Sequence, residues 1–190
     1  MGFVSAYLAE TARVITSFAE ASIAGLVGLI EQAWRAGQRI FLCGNGGSAS
    51  LATHLACDLN KNCAVPGQPR LKLIALTDNV PTITAYANDV SYAEVFREQL
   101  ENLFEAGDLV IGISGSGNSE SVVRTLAWAR EQGGRTAGIL AMGGGRCAPL
   151  CDVAVIAPTD DMQHAEDAHA VLGHLLMKVF SRKVAGDDVG

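Results

Sequence analysis

Lysine and arginine are scarce and scattered in this chain. The 14 of them stand against 20 aspartates and glutamates, for a net charge of −6, and they form no cluster. That excludes the basic face that nucleic acid or an anionic membrane would require. Long apolar runs are missing as well: no uncharged stretch approaches about 18 residues, so no membrane span is expected. The first residues do not lead from a basic region into a cleavable apolar core, and a cytoplasmic protein is the expectation. The 5 cysteines, Cys43, Cys57, Cys63, Cys147 and Cys151, are odd in number and include no Cys-x-x-Cys pair. Reduced thiols are therefore expected in place of a disulfide frame or a thiolate metal site. Cys43 reads as core, while Cys147 and Cys151 could face one another across Pro149. Repeats, low-complexity tracts and long linkers are absent too. What is present is 190 residues, 49% of them hydrophobic, enough to fill the core of one domain.

Residues 3–36 have the periodicity of one or two amphipathic helices closed by Gly37. Short apolar strands follow at 39–43, 71–76, 108–113, 135–140 and 153–157, alternating with helical stretches. The alternation predicts an α/β fold: a five-stranded parallel sheet with helices on both faces, three-layered and flavodoxin-like, behind an N-terminal helical segment. One domain is expected over 1–185, with helices in 1–36, the layered core and C-terminal helix in 37–185, and a disordered tail at 186–190.

In such sheets ligands gather at the carboxyl ends of the strands, and two unusual turns fall there. The first is Gly44-Asn45-Gly46-Gly47-Ser48. Its glycines let the backbone approach a ligand closely, and the helix beginning near Ser48 offers free N–H groups to an anion or a polyol. An ordinary strand-to-helix turn with Ser48 as N-cap would look the same. The second turn, Ser114-Gly115-Ser116-Gly117-Asn118-Ser119, precedes a helix running to about Gln132. Hydroxyls and free amides without a lysine suit a phosphate monoester held by neutral hydrogen bonds and a helix dipole. The turn lacks the lysine of a nucleotide P-loop and the glycine spacing of a dinucleotide site. A serine-rich connector would not normally join a buried strand to an amphipathic helix.

Two helices carry titratable groups. His54 and Asp58 are four apart and project from one face; Glu166 and His174 are eight apart and share a face after about two turns. His164 and His169 read as satisfied polar residues. Asn88 and Asp89 close the helix that Pro81 opens, and as residues they are an ordinary polar cap.

The two turns, taken as Gly44 to Ser48 and Ile113 to Ser119, together with His169 and His174 in a C-terminal helix, resemble the sugar isomerase (SIS) domain family. Within it they are most similar to the phosphoheptose isomerases, over nearly the whole chain. The resemblance implies aldose–ketose isomerisation of a phosphorylated sugar, with sedoheptulose 7-phosphate to D-glycero-D-manno-heptose 7-phosphate the best single choice, through an enediol. It implies substrate contacts from Asn45, Gly46, Gly47, Ser48, Asn88, Asp89, Ser114, Gly115, Ser116, Ser119 and Glu166. Asp58 or Glu166 would be the base and His174 the acid. One zinc per subunit would sit on His54, Asp58, Glu166 and His174, where a cation would also relieve repulsion between the carboxylates. A homotetramer with pockets shared between subunits is implied as well.

The chain departs from that family at three positions. Where the family holds Glu and Gln, it has Asp58 and Glu166, and where the family usually places Thr it has Gly115. These changes point to a divergent subgroup, and they are where a non-catalytic alternative would show: a phosphosugar-binding or replication-initiator-associated regulator that keeps the fold without the proton transfer.

Overall fold

The structure, a computed structural model, describes residues 2–187. Two helices come first, α1 (Phe3–Thr16) and α2 (Glu20–Arg35), bent by 63° to one another. Then follow β1 (Ile40–Gly44), α3 (Gly47–Asn62), β2 (Leu73–Ala75), α4 (Val80–Asp89) and α5 (Arg97–Leu103). The chain closes with β3 (Leu109–Ser114), α6 (Glu120–Glu131), β4 (Arg135–Leu140), β5 (Val153–Ile156) and α7 (Met162–Ala185). Among the described residues no single helix is long and apolar enough to cross a membrane.

All five strands are parallel and lie in the order β2-β1-β3-β4-β5. Strand pleating sends alternate side chains to opposite layers. Ile40 and Leu42 join the core beneath α2, α3 and α7, whereas Phe41 and Cys43 join the one beneath α5 and α6. The expected three layers and five strands are thus present, with most strand ends shifted by one or two residues. β2 is shorter than its apolar run of 71–76, since as an edge strand it pairs with β1 alone.

The first helix leans on the last. Tyr7 donates to Asp167 at 2.7 Å, Thr11 meets His164 Nδ1 at 2.8 Å, and Val14 packs with Ala165 and Ala168. Buried His169 pairs through Nε2 with the Leu140 carbonyl at 2.8 Å. At the far end, Gly186 closes α7 in the left-handed region, and Asp187 N–H bonds back to the Arg182 carbonyl. Of the tail expected to be disordered from 186, residues 188–190 lie outside the described residues.

Candidate active site

β1 and β3 are neighbours, yet the chain leaves β1 toward β2 on one side and reaches β3 on the other. The crevice at such a reversal is where open parallel sheets bind ligands. Both glycine–serine turns border it. In the first, Gly46 takes φ +56° and is itself the N-cap, so α3 starts at Gly47. Ser48, an expected N-cap, is instead buried in the first turn, because the positive φ bends the chain before it is reached.

Asn45 has no free side-chain end. Its Nδ2 donates to Ser121 Oγ at 3.0 Å, and its Oδ1 accepts from Tyr92 at 2.8 Å. Tyr92 escaped the sequence reading, since no local pattern ties it to Asn45. The second turn folds on itself: Ser114 Oγ accepts from Gly117 N–H at 3.1 Å and Ser116 Oγ from Asn118 N–H at 3.2 Å. Gly117, at φ +63°, passes so close to the Gly144 carbonyl that a Cβ would collide with it. Ser119 caps α6 without a side-chain bond, leaving its hydroxyl beside Ser114 Oγ at 3.4 Å.

Between the turns and α7 lies a cavity of about 280 Å³, walled by Asn45, Gly46, Gly47, Ser48, Ile113, Ser114, Gly115, Ser116, Ser119, Met162 and Glu166. Glu166 is its one charged wall residue. Two helix starts and several hydroxyls face this cavity without a cation, so any positive potential in it comes from helix dipoles and is opposed by the Glu166 carboxylate. A larger hollow of about 640 Å³ lies elsewhere, between α3 and the β2 edge, and neither turn reaches it.

A second constellation lies farther along the same two helices. His54 Nε2 and His174 Nε2 are 2.9 Å apart, and Asp58 Oδ2 is 3.4 Å from His54 Nε2. One donor atom from each residue falls within 4.8 Å of the others. Gly173 lets α3 and α7 approach closely beside the two histidines: a Cβ there would come within 2.9 Å of Leu55 Cδ2. Two imidazoles and a carboxylate, with Asn62 donating to Asp58 Oδ1 at 3.2 Å, match the three-ligand set of a catalytic zinc site with its fourth position open.

Glu166 is not part of that set. Its carboxylate lies against Gly47, eight residues and roughly 12 Å of helix rise from His174. α7 runs parallel to α3, so one face of α7 meets the start of α3 at Glu166 and its middle at His174. The four-ligand zinc set expected from the resemblance is therefore split, and so is the repulsion with Asp58 that argued for it. Asn88 and Asp89, expected as substrate contacts, do not line the cavity either. Ile83, Tyr86 and Ala87 anchor α4 on the α5–α6 layer, and its exposed end has Asn88 Nδ2 donating to Asp89 Oδ1 at 2.7 Å.

The five cysteines are free thiols. Burial pushes Cys63 and Cys147 up to about 11 and Cys151 to about 12, and raises Cys43 further, so none of these four is poised as a nucleophile.

A family description for the SIS domain matches residues 6–141. The phosphoheptose isomerase of Clostridium acetobutylicum is 35% identical over 167 residues, covering 88% of this chain and 85% of that one. The chain belongs to the phosphoheptose isomerase family of SIS domains. A second member, from Solidesulfovibrio magneticus, is 42% identical over 143 residues, or 75% of this chain and 69% of its own. Among solved structures, phosphoheptose isomerase GmhA from Neisseria gonorrhoeae superposes with a TM-score of 0.86 at 28% identity, covering 93% of this chain and 96% of that one. Family membership extends over both turns and makes this SIS domain an isomerase.

Proposed function

We propose that this chain converts sedoheptulose 7-phosphate to D-glycero-D-manno-heptose 7-phosphate, binding the sugar open along the α3–α7 pair. The observation that carries the reading is a separation. Glu166 of the cavity wall and His174 of the three-residue group are eight residues, roughly 12 Å of backbone rise, apart along α7. An extended seven-carbon chain with its phosphate ester spans roughly 10 Å, at about 1.3 Å per bond. A triose phosphate could not reach both.

With phosphate held by the Ser114–Ser119 turn and the start of α3, the sugar's reacting end meets the second group. Asp58 takes a proton from C1 of the ketose, and the freed electron pair forms the C1–C2 enediol while His174 protonates the carbonyl oxygen. The hydroxyl on C1 then returns its proton to His174 as the C1–O bond becomes a carbonyl, and the proton on Asp58 is delivered to C2. Glu166, in the cavity, is placed to accept hydrogen bonds from sugar hydroxyls and not to move the proton at C1. His54, Asp58 and His174 would also hold a zinc ion, which would supply Lewis-acid polarisation of the substrate oxygens; with the ion bound, Asp58 and His174 would have to swing off it to move these protons. The reading extends to a cytoplasmic homotetramer whose neighbouring subunits complete each pocket.

The test is incubation of the purified protein with a panel of ketose phosphates, followed by NMR. Conversion of the seven-carbon ester ahead of shorter ones is expected. Tight binding of the panel with no aldose formed would leave the chain a phosphosugar-binding module.

A further inference from the structure

Met162 and Glu166 are one turn apart on α7, and each covers a glycine of a different turn. A Cβ built on Gly115 would land on Met162 Sδ and lie 3.2 Å from its Cε. Gly115 is not among the glycines with positive φ, so its backbone would accept any L residue. What a side chain at 115 would displace is the thioether of Met162, the end of a flexible side chain that is 37% exposed. That side chain is well placed to be decisive. It leaves the first position of α7, a helix start that Asp161 Oδ1 caps by accepting from the N–H groups of Gln163 at 2.9 Å and His164 at 3.0 Å. Apart from Ile113 it is the one apolar side chain in a cavity of hydroxyls, amides and a carboxylate.

We propose that Met162 is a specificity-determining residue for the phosphate end of the substrate. Its sulfur and methyl stand where a side chain at 115 would offer a hydroxyl, and they press on the carbon that carries the phosphate ester. The pocket thereby favours a phosphate monoester over inorganic phosphate, since the free ion has no carbon for the thioether to touch. This inference rests on the reading of the cavity as a phosphosugar site.

A double-mutant cycle over Met162→Ala and Gly115→Thr tests it, with KM and kcat for the phosphosugar and calorimetric affinity for inorganic phosphate. Met162→Ala should raise KM about fourfold, the effect of losing roughly one buried methylene of contact, with kcat and inorganic phosphate affinity little changed. Met162→Leu, which keeps the bulk, should restore most of the KM. Gly115→Thr alone should raise KM by driving Met162 off the wall, whereas in the Met162→Ala background it should lower KM by adding a hydroxyl. Thermal melts of all variants report whether each is folded. Additive effects of the two substitutions, or equal losses toward monoester and inorganic phosphate, would overturn the assignment. A wild type that binds the ester without converting it refutes the isomerase reading alone, and the same cycle in Kd still decides Met162. A wild type that binds neither ester nor phosphate refutes both.

Discussion

The carboxylate of Glu166 lies over the bare Cα of Gly47, so near that a Cβ on Gly47 would come within 2.5 Å of the carboxylate carbon. The contact sets a negative charge at the start of α3, where the helix dipole favours it, and inside the cavity read as the phosphate site. A phosphate dianion entering there gains from the dipole and is opposed by the carboxylate.

Removing that charge while keeping the shape should therefore strengthen anion binding. Glu166→Gln is expected to raise affinity for inorganic phosphate by about threefold to tenfold, a like-charge term at a partly solvated separation. Calorimetry at fixed ionic strength measures it. Weaker binding would mean that Glu166 does not face the anion.

Metal content separates a three-residue site from a four-residue one. Elemental analysis of untagged protein should find about one equivalent of zinc, near none in His54→Ala, Asp58→Asn or His174→Ala, and full content in Glu166→Gln. Loss of zinc in Glu166→Gln would restore the four-ligand set. Gly173→Ala touches no ligand, yet it should cost about 1–3 kcal/mol of stability by forcing α7 off Leu55, and should weaken zinc binding as the histidines part.

Stability should fall on the acid side through His169. Burial lowers the pKa of this imidazole from its ordinary 6.5, against the smaller raising effect of its bond to the Leu140 carbonyl. As pH drops below 6.5 the unfolded chain takes up the proton before the folded one does. The contribution is thus complete above 6.5 and is lost as pH descends through the depressed folded value. His169→Gln retains an N–H donor for Leu140 and should flatten the fall in denaturation free energy below pH 6.5. An identical pH slope in both proteins would contradict this.

Assembly is testable on the α1–α7 face. Phe3, Val4 and Leu8 on α1 are 84%, 70% and 62% exposed, and Val171 and Leu175 on α7 are 42% and 43% exposed. This much apolar surface on helices in contact suits burial between subunits. Light scattering should report a tetramer, and Leu8→Asp should yield a smaller species. A monomer at micromolar concentration would refute the homotetramer.

The sequence by itself determined the layered fold and the two turns. Strand periodicity, helix signals and Gly/Ser chemistry are local, and they were legible to within a residue or two: β4 begins and ends where its apolar run does, and α6 follows Ser119 directly. It also paired His54 with Asp58, since one helical turn suffices to bring them together. Only the tertiary structure decided which groups share a pocket. Helical spacing places Glu166 and His174 on one face, but whether they meet depends on how α7 lies along α3, and a parallel packing sends one to Gly47 and the other to His54. Tyr92 on Asn45 and Met162 over Gly115 arise in the same way, and so does the exclusion of Asn88 and Asp89. Each depends on how helices seat on the sheet, a balance of long-range packing that no local pattern records.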